Sequence, residues 1–400
     1  MKSRYIILTA LCSVLMCSSC TEEIIKPVGT CTFTETTGNA TNPYNNLYQQ
    51  ILDDFVAMGI PGISIAIETP ELGWWVGCTG MACIEDAEVL EPCHLFNSAS
   101  MAKPYTATMI MRLYEDGIIG LDDLISDYLP EEMINQIANG DVATIRHCLS
   151  HTAGFWDIPW GTNARTAVLN NPQIDLTLEE QFEKYFYGRP AFAAPGEKFH
   201  YSNAGFSILG MIIDEVCGMT LGEYFEQEIV VPLGLVNTHY KASPGYPDID
   251  GLVNGYIEHY PGKLQNCSDL DRNRVETSMG SGGVIATPYE FARFYQELIR
   301  GNILDPATLD VMLTEHIKMG GTFDYGYCLG MMRDSLDHGF YFLHQGMING
   351  SLSNTGYFPE SDITYSILTN LGGVFETSNQ ERFENLRKEI INGTFTGSRD

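Results

Sequence analysis

Apolar residues recur at helical spacing near the start of the chain and then give way to strand-like runs. Over residues 44–58 they lie four positions apart, at Leu47, Ile51 and Phe55. This period is typical of a helix that buries one face. Two short runs rich in β-branched and aromatic residues follow at 63–68 and 73–84. The order predicts one helix and then two adjacent antiparallel strands.

The middle of the chain carries mostly helical patterns, and strand patterns return only near its end. Helical periodicity is clearest at 178–187 and 204–217. Three late strands and a closing helix are predicted at 340–344, 351–358, 363–369 and 380–391. This order predicts an α/β fold: an antiparallel sheet from the N- and C-terminal segments, flanked by helices, with a mostly helical inserted lobe. We expect the active site in the cleft between the two lobes.

One predicted helix carries a candidate nucleophile, because Ser100 and Lys103 lie three residues apart at its start. Residues at this spacing share a helix face about 5 Å apart, so the lysine amine can take the serine proton. Pro104 is tolerated in a first helical turn and places the helix start at about Ser100. The helix dipole and the N–H of Ser100 can then stabilise an oxyanion.

The alternative for the tetrad of residues 100–103 is a structural role, with Ser100 as a helix cap and Lys103 as a solvated side chain. The tetrad is nevertheless unique in the chain, since no other serine has a lysine three positions on.

Residues 195–203 supply candidates for proton transfer and substrate contact. Tyr201 can shuttle a proton if the Lys103 ammonium lowers the pKa of its phenol. Asn203 can orient Lys103 and hold a substrate amide. The alternative is an ordinary turn in which Asn203 caps the following helix.

The first twenty residues are typical of an export signal. Two basic residues precede an apolar run of about twelve, which is too short to span a bilayer, and small residues lead to Cys20. This arrangement resembles the lipobox of bacterial lipoproteins, although Cys17 stands where leucine is usual. We therefore expect a signal peptide over 1–19, a lipid anchor on Cys20 that holds the protein at a membrane of the cell envelope, and a tether over 20–43. The alternative is cleavage without lipidation.

The charge balance excludes one class of partner. The chain has 51 acidic and 22 basic residues, for a net charge of −29, and this charge repels phosphate backbones. No nucleic-acid partner is predicted. Apolar residues make up 44% of the chain, and no internal linker divides it, so we expect one large domain over 44–393 and a short tail over 394–400.

Eight cysteines remain after Cys20, and export would place them in an oxidising compartment. Some of them should pair, but the spacing selects none of the possible connectivities. The nine histidines form no compact metal-binding motif with each other or with cysteines. Neither a metal nor another cofactor is predicted.

The order of the motifs resembles a known superfamily. Ser-x-x-Lys at Ser100 is followed by Tyr-Ser-Asn at 201–203 and by His-Gln-Gly at 344–346. Segments 149–155, 282–292 and 356–359 agree with the same pattern. The chain, over about residues 45–392, resembles the serine β-lactamase and penicillin-binding superfamily, and within it class C β-lactamases, D-alanyl-D-alanine carboxypeptidases and related esterases.

The resemblance implies a role for each motif. Ser100 would be the acylated nucleophile, and Lys103 the base or a charge that activates Tyr201. Tyr201 would relay protons, and Asn203 would contact Lys103 and the substrate. The strand with His344 and Gly346 would border the cleft, and the N–H of Met347 would join that of Ser100 in an oxyanion hole.

The third motif departs from the lactamase pattern, because His344 stands where those enzymes commonly have lysine. A neutral imidazole binds a carboxylate less firmly than an ammonium does, which weakens the case for β-lactams as natural substrates. We expect His344 to bind a substrate carboxylate with a charge that titrates near pH 6.5. The alternative is a strand histidine without a substrate role.

Three functions are compatible with these motifs. The first is an exported serine hydrolase that acts through an acyl-enzyme on a small-molecule or peptide substrate, with D-amino-acid peptides, esters and amides as candidates. The second is a β-lactamase. The third is a cell-envelope binding or sensor lipoprotein, in the periplasm or at the outer membrane, that does not turn a substrate over.

Overall fold

The sheet at the centre of the molecule joins the two ends of the chain, as the sequence predicted. The computed structural model describes residues 31–33, 38–157, 176–240, 249–269, 279–314, 317–320, 323–373 and 377–397. The predicted signal peptide and the predicted lipidation site Cys20 lie outside them. The nine-stranded sheet has the order β3-β2-β1-β14-β13-β12-β11-β10-β9, and its strand pairs are antiparallel.

The strands of this sheet come from two parts of the chain. The early ones are β1 (Gly62–Thr69), β2 (Gly73–Cys83) and β3 (Glu88–Val89). The late ones are β9 (Ile317–Gly320), β10 (Phe323–Tyr327), β11 (Met332–Leu336), β12 (Gly339–Met347), β13 (Leu352–Phe358) and β14 (Ile363–Thr369). The prediction of strands β1, β2, β12, β13 and β14 is confirmed, and the sequence pattern missed β9 to β11.

Helices cover both faces of the sheet. Helix α1 (Asn45–Ala57) and the closing helix α11 (Thr377–Gly397) pack on one face, where the apolar side chains of β1 also lie. Helix α2 (Lys103–Glu115) and helix α9 (Pro288–Ile299) belong to the other side. Alternation along β1 explains the arrangement, since Ile63, Ile65 and Ile67 contact the first group of helices while Ala66 contacts Tyr289 and Ala292 of α9.

The inserted lobe is mostly helical, as predicted. Its helices are α3 (Glu131–Ile134), α4 (Ile145–Leu149), α5 (Leu178–Tyr185), α6 (Asn203–Cys217), α7 (Leu221–Phe225) and α8 (Val231–Leu233), and α10 (Pro306–Leu313) follows α9. Short strands that the sequence pattern missed complete it: β4 (Phe96–Asn97), β5 (His239–Tyr240), β6 (Tyr256–Tyr260), β7 (Lys263–Asn266) and β8 (Val284–Ala286). Strands β4, β8 and β5 form a small second sheet.

Both predicted boundaries of the domain were too narrow. The tether was predicted to extend to residue 43, but Asn39 exchanges hydrogen bonds with Val76 of β2, and Cys31 forms a disulfide with Cys93. The tail was predicted to begin at 394, but α11 continues to 397 and buries Phe395 in the core. Backbone pairing and apolar burial therefore hold both segments to the domain.

Among the described residues, no single helix is long and apolar enough to span a membrane. Helix α6 and the segment Leu221–Leu233 reach the required length and apolarity only together, as a pair bent by 83°.

Candidate active site

Ser100 lies in a tight 3-10 turn, Ala99–Ala102, that leads directly into α2. The helical structure thus begins one residue earlier than predicted, and its first turn is narrower than an α-turn. Ala99 has a φ of 50°, a left-handed conformation that is strained for a residue with a side chain. Its N–H donates to the Asn97 side chain at 3.0 Å, which holds the turn in place. The chain therefore presents Ser100 on a fixed and strained support.

Gly346 allows strand β12 to approach this turn. A Cβ on Gly346 would lie 2.0 Å from the Ser98 carbonyl oxygen and 2.2 Å from Ser353 Oγ, so only glycine fits. The pairing of β12 with β11 extends to Leu343, and beyond it Gly346 lies against the turn. Met347, the predicted second donor of the oxyanion hole, follows Gly346 at the end of β12. Its predicted role stays a prediction.

Lys103 is buried beneath the nucleophile. Its ammonium nitrogen donates to Ser100 Oγ at 3.1 Å, to Asn203 Oδ1 at 2.7 Å and to the Ser281 carbonyl at 2.8 Å. Burial lowers the pKa of Lys103 to about 7, against a smaller opposing effect of Asp157. The alternative of a solvated lysine is wrong, since this side chain has no solvent exposure. Near neutral pH a large fraction of Lys103 is uncharged and able to accept a proton.

Tyr201 lies beside both residues, as predicted, but its pKa shifts in the opposite direction. Its hydroxyl shares a hydrogen bond with Ser100, and the Lys103 nitrogen lies 4.8 Å from its ring centroid. Burial raises the pKa of Tyr201, and the hydrogen bond to Ser100 opposes this only in part. Because Lys103 is only partly charged, it does not generate a phenolate. Tyr201 is therefore placed to donate and recover a proton as a neutral phenol.

The start of α6 leaves the side chain of Asn203 available to the site. Ser202 is the N-cap, and its hydroxyl accepts from the N–H of Gly205 at 3.4 Å. The alternative in which Asn203 caps the helix is wrong, because Asn203 is the first helical residue. We name Ser100, Lys103, Tyr201 and Asn203 together the lysine cluster.

Asp157 is a further residue of the site that was not predicted from the sequence. Its Oδ1 accepts from the backbone N–H of Asn203 at 3.0 Å and from the side-chain Nδ2 at 3.1 Å. Asp157 comes two residues after the 149–155 motif, and no spacing rule connects it with a residue 46 positions later. Only the packing of this loop against the start of α6 brings the two together.

His344 is buried behind the lysine cluster and does not present a charge to the cleft. Its Nδ1 is 2.8 Å from the Gln345 carbonyl, so it is the donor, and Nε2 accepts from the Tyr327 hydroxyl at 3.1 Å. Burial, together with the nearby Lys103, lowers the pKa of His344 to about 3. The expectation of a carboxylate ligand that titrates near pH 6.5 is wrong, because the ring is buried, neutral and hydrogen-bonded at both nitrogens.

A second histidine completes this layer. His151 Nδ1 accepts from the N–H of Ser202 at 3.2 Å, so Nε2 carries the proton that it donates to Tyr327 at 3.1 Å. His151 has a φ of 57°, and its ring packs against that of Tyr201 at a centroid distance of 4.2 Å. Burial lowers the pKa of His151 well below its usual value. We name His151, Tyr327 and His344 the histidine cluster.

Among the described residues, one group of potential metal ligands lies close together. It consists of Cys31, Glu91 and Cys93, and its two cysteines are joined in the disulfide. In the part of the chain that the structure describes, one carboxylate, that of Asp157, lies against the lysine cluster.

The site thus consists of a serine in contact with a buried lysine, a neighbouring tyrosine and an asparagine, on an antiparallel sheet with a helical lobe. The profile of the β-lactamase family matches residues 48–386. This chain therefore belongs to the β-lactamase family.

Among curated relatives, a penicillin-binding protein of Bacillus subtilis is 28% identical over 261 residues, which cover 62% of this chain and 54% of the relative. The D-alanyl-D-alanine-carboxypeptidase/endopeptidase AmpH of Escherichia coli is 28% identical over 202 residues, 50% of this chain and 48% of that protein. The chain thus spans about half the length of the curated relatives it matches.

Solved structures share the fold. The D-amino acid amidase of Ochrobactrum anthropi, in complex with L-phenylalanine amide, has a TM-score of 0.73 and 24% identity, and the match covers 88% of this chain and 100% of that one. A D-stereospecific amidohydrolase from Streptomyces has a TM-score of 0.71 and 23% identity, and the match covers 85% of this chain and 97% of that one. These likenesses confirm the predicted fold.

Proposed function

We propose that this protein is an exported serine hydrolase that cleaves peptide, amide or ester bonds, including those of D-amino acids, through an acyl-enzyme on Ser100. The observation that carries this proposal is the hydrogen bond of 3.1 Å between Lys103 Nζ and Ser100 Oγ. Burial of the lysine supports it, because a pKa of about 7 suits a general base at neutral pH.

Acylation follows from this arrangement. Uncharged Lys103 takes the proton of Ser100 Oγ as that oxygen forms a bond to the substrate carbonyl carbon. The N–H groups of Ser100 and Met347 hold the oxyanion. As the tetrahedral intermediate collapses, Tyr201 gives its phenolic proton to the leaving amine or alcohol and recovers one from Lys103. Water then repeats the sequence on the acyl-enzyme and releases the acid.

The relatives support the substrate class that we propose. The names of the matched proteins include a D-alanyl-D-alanine carboxypeptidase and a D-amino acid amidase, whose substrates are a peptide and an amide. The neutral and buried His344 offers no cation to a substrate carboxylate, so it favours amides and esters that lack a free carboxylate over β-lactams.

Export to the cell envelope belongs to the same proposal. The Cys31–Cys93 disulfide supports it, because disulfides persist in oxidising compartments. We propose that the signal peptide is removed and that Cys20 carries the lipid anchor. Metabolic labelling with a palmitate analogue should mark the full-length protein in cells, and Cys20→Ala should remove the label. A labelled Cys20→Ala protein would contradict the anchor.

Labelling with a fluorophosphonate tests the nucleophile. Peptide mapping should place the adduct on Ser100, and Ser100→Ala should abolish it, while Ser335→Ala, at an exposed serine, should change nothing. An adduct on another serine would refute the assignment.

Turnover of four substrates tests the reaction class. They are D-phenylalanine amide, a D-Ala-D-Ala peptide, a p-nitrophenyl ester and a cephalosporin. We expect turnover of the amide, the peptide or the ester. Preference for the cephalosporin would favour a β-lactamase, and labelling without any turnover would favour a binding or sensor protein.

A further inference from the structure

We propose that Asp157 is a positioning residue that acts through Asn203 on Lys103, by fixing the orientation of the Asn203 amide and by placing a negative charge near the lysine. This inference rests on the proposed role of Lys103 as the base. Asp157 contributes nothing to bond making itself, and its effect is on the proton affinity of the base.

The first step is the orientation of the Asn203 amide. An ionised carboxylate only accepts hydrogen bonds, so the side-chain nitrogen of Asn203 must face Asp157, at 3.1 Å. The oxygen of the same amide then faces Lys103, at 2.7 Å from Nζ. If the amide were reversed, its NH2 group would meet the lysine nitrogen, which also carries protons. Asp157 therefore decides which chemical group Lys103 contacts.

The second step is the anchoring of Asn203 itself. Asp157 Oδ1 also accepts from the backbone N–H of Asn203, at 3.0 Å, in the first turn of the 15-residue helix α6. A carboxylate at a helix N-terminus is stabilised by the unpaired N–H groups and by the helix dipole. One carboxylate oxygen thus holds both the backbone and the side chain of the residue that contacts Lys103.

The third step concerns charge. Among the described residues, the titratable groups that act on Lys103 or lie against it are Asp157, Tyr201, His151 and His344. Burial keeps Tyr201 and both histidines neutral around pH 7, so Asp157 is the anion of this set. Its charge raises the pKa of Lys103, against the larger effect of burial. Without that charge the pKa of Lys103 falls further, and a reversed amide shifts it in the same direction.

The test is the pH dependence of fluorophosphonate labelling. In the wild type the rate should rise with pH through about 7, as Lys103 loses its proton. In Asp157→Asn the midpoint should fall by about one pH unit, the scale expected for a nearby opposite charge. The plateau rate should fall about tenfold, because the Asn203 amide can then reverse. Asp157→Glu should restore the midpoint.

Glu197→Gln is the matched control. Its carboxylate lies in the loop before Tyr201, is exposed, and accepts from the N–H of Ala194 rather than from Asn203. Removal of this charge should leave both the midpoint and the plateau unchanged. A similar shift in Glu197→Gln would mean that net charge alone causes the effect, which would overturn the proposal.

A direct measurement separates this inference from the proposed function. The pKa of Lys103 can be measured in the Ser100→Ala protein by an NMR titration of lysines labelled with ¹³C at Cε. The chain has nine lysines, so the spectrum contains few resonances. The resonance of Lys103 is assigned by its loss in Lys103→Met. Its pKa should fall in Asp157→Asn and also in Asp157→Ser, which is the second variant if the first does not fold. An unchanged pKa in either folded variant overturns the inference, whereas failure of Ser100 to react with the fluorophosphonate overturns the proposed function alone.

Discussion

The lysine cluster and the histidine cluster are in contact through the rings of Tyr201 and His151, and each contains a buried, hydrogen-bonded titratable group, yet only the lysine cluster has a group whose pKa lies near neutral pH. Lys103 donates three hydrogen bonds and has a pKa of about 7. In the histidine cluster every proton has one assigned acceptor, and the pKa of His344 is about 3. The comparison shows that burial alone does not produce a reactive group. A titration close to the working pH is what distinguishes the two.

The largest expected effect comes from removal of the lysine. In Lys103→Met the rate of fluorophosphonate labelling should fall by about 10³-fold or more, since Ser100 loses its base. Lys184→Met, at an exposed lysine, should label normally. A Lys103→Met protein that keeps its labelling rate would show that Lys103 is not the base that activates Ser100.

The same variant should also change how the stability of the protein depends on pH. The pKa of Lys103 is lowered from 10.5 to about 7 on folding, so between these values the unfolded chain binds more protons than the folded one. The stability that Lys103 contributes therefore rises with pH across this window. Relative to the wild type, the Tm of Lys103→Met should improve as the pH falls from 9 to 6. A constant difference in Tm would contradict the lowered pKa.

The next effect tests whether the lysine cluster acts as one unit. Lys103→Ala and Tyr201→Phe should each lower kcat by at least about 10²-fold, and the double variant should be little worse than either. Such non-additivity is expected if one proton passes through both groups. Fully multiplicative losses would mean that Lys103 and Tyr201 work independently.

Gly346 joins the two clusters, because β12 carries His344 and also contacts the turn of Ser100. Gly346→Ala should lower the free energy of unfolding by about 2 kcal/mol or more, as overpacking against fixed backbone does, and should slow labelling. The control is Gly393→Ala in α11, where a Cβ meets its nearest neighbour at 3.5 Å and should stabilise the helix slightly. Equal stabilities for the two variants would refute the close approach.

The smallest effect on chemistry is expected in the histidine cluster. Tyr327→Phe removes the hydroxyl between two buried ring nitrogens and should lower the free energy of unfolding by about 1–3 kcal/mol. The pH midpoint of labelling should stay unchanged, since both histidines remain neutral. Tyr260→Phe, at a residue that is 70% exposed, is the control and should change neither value. A shifted midpoint would mean that the histidine cluster takes part in proton transfer.

The difference between the clusters also explains what the sequence could predict. Ser100 and Lys103 are neighbours through helical spacing, which is a local property, so their contact was predictable. His344 was misjudged because the side chain that covers it, Tyr327, lies on β10, a strand that the alternation pattern did not reveal. Asp157 was missed for a related reason, since a loop and a helix start meet only through tertiary packing. Sequence periodicity predicts which elements form, but not which side chain covers another.

The pairing of β1 with β14 has a consequence for when the chemistry can arise. Ile63 is opposite Thr369, so the centre of the sheet joins residues more than three hundred positions apart. Contacts this distant in sequence are slow to form and require the whole intervening chain. Strand β13, which holds the Ser98 carbonyl through Ser353, depends on β14 for its own pairing. The support for Ser100 is therefore complete only after the last strand has been synthesised, so we expect a nascent or truncated chain to contain Ser100 without the contacts that hold its turn.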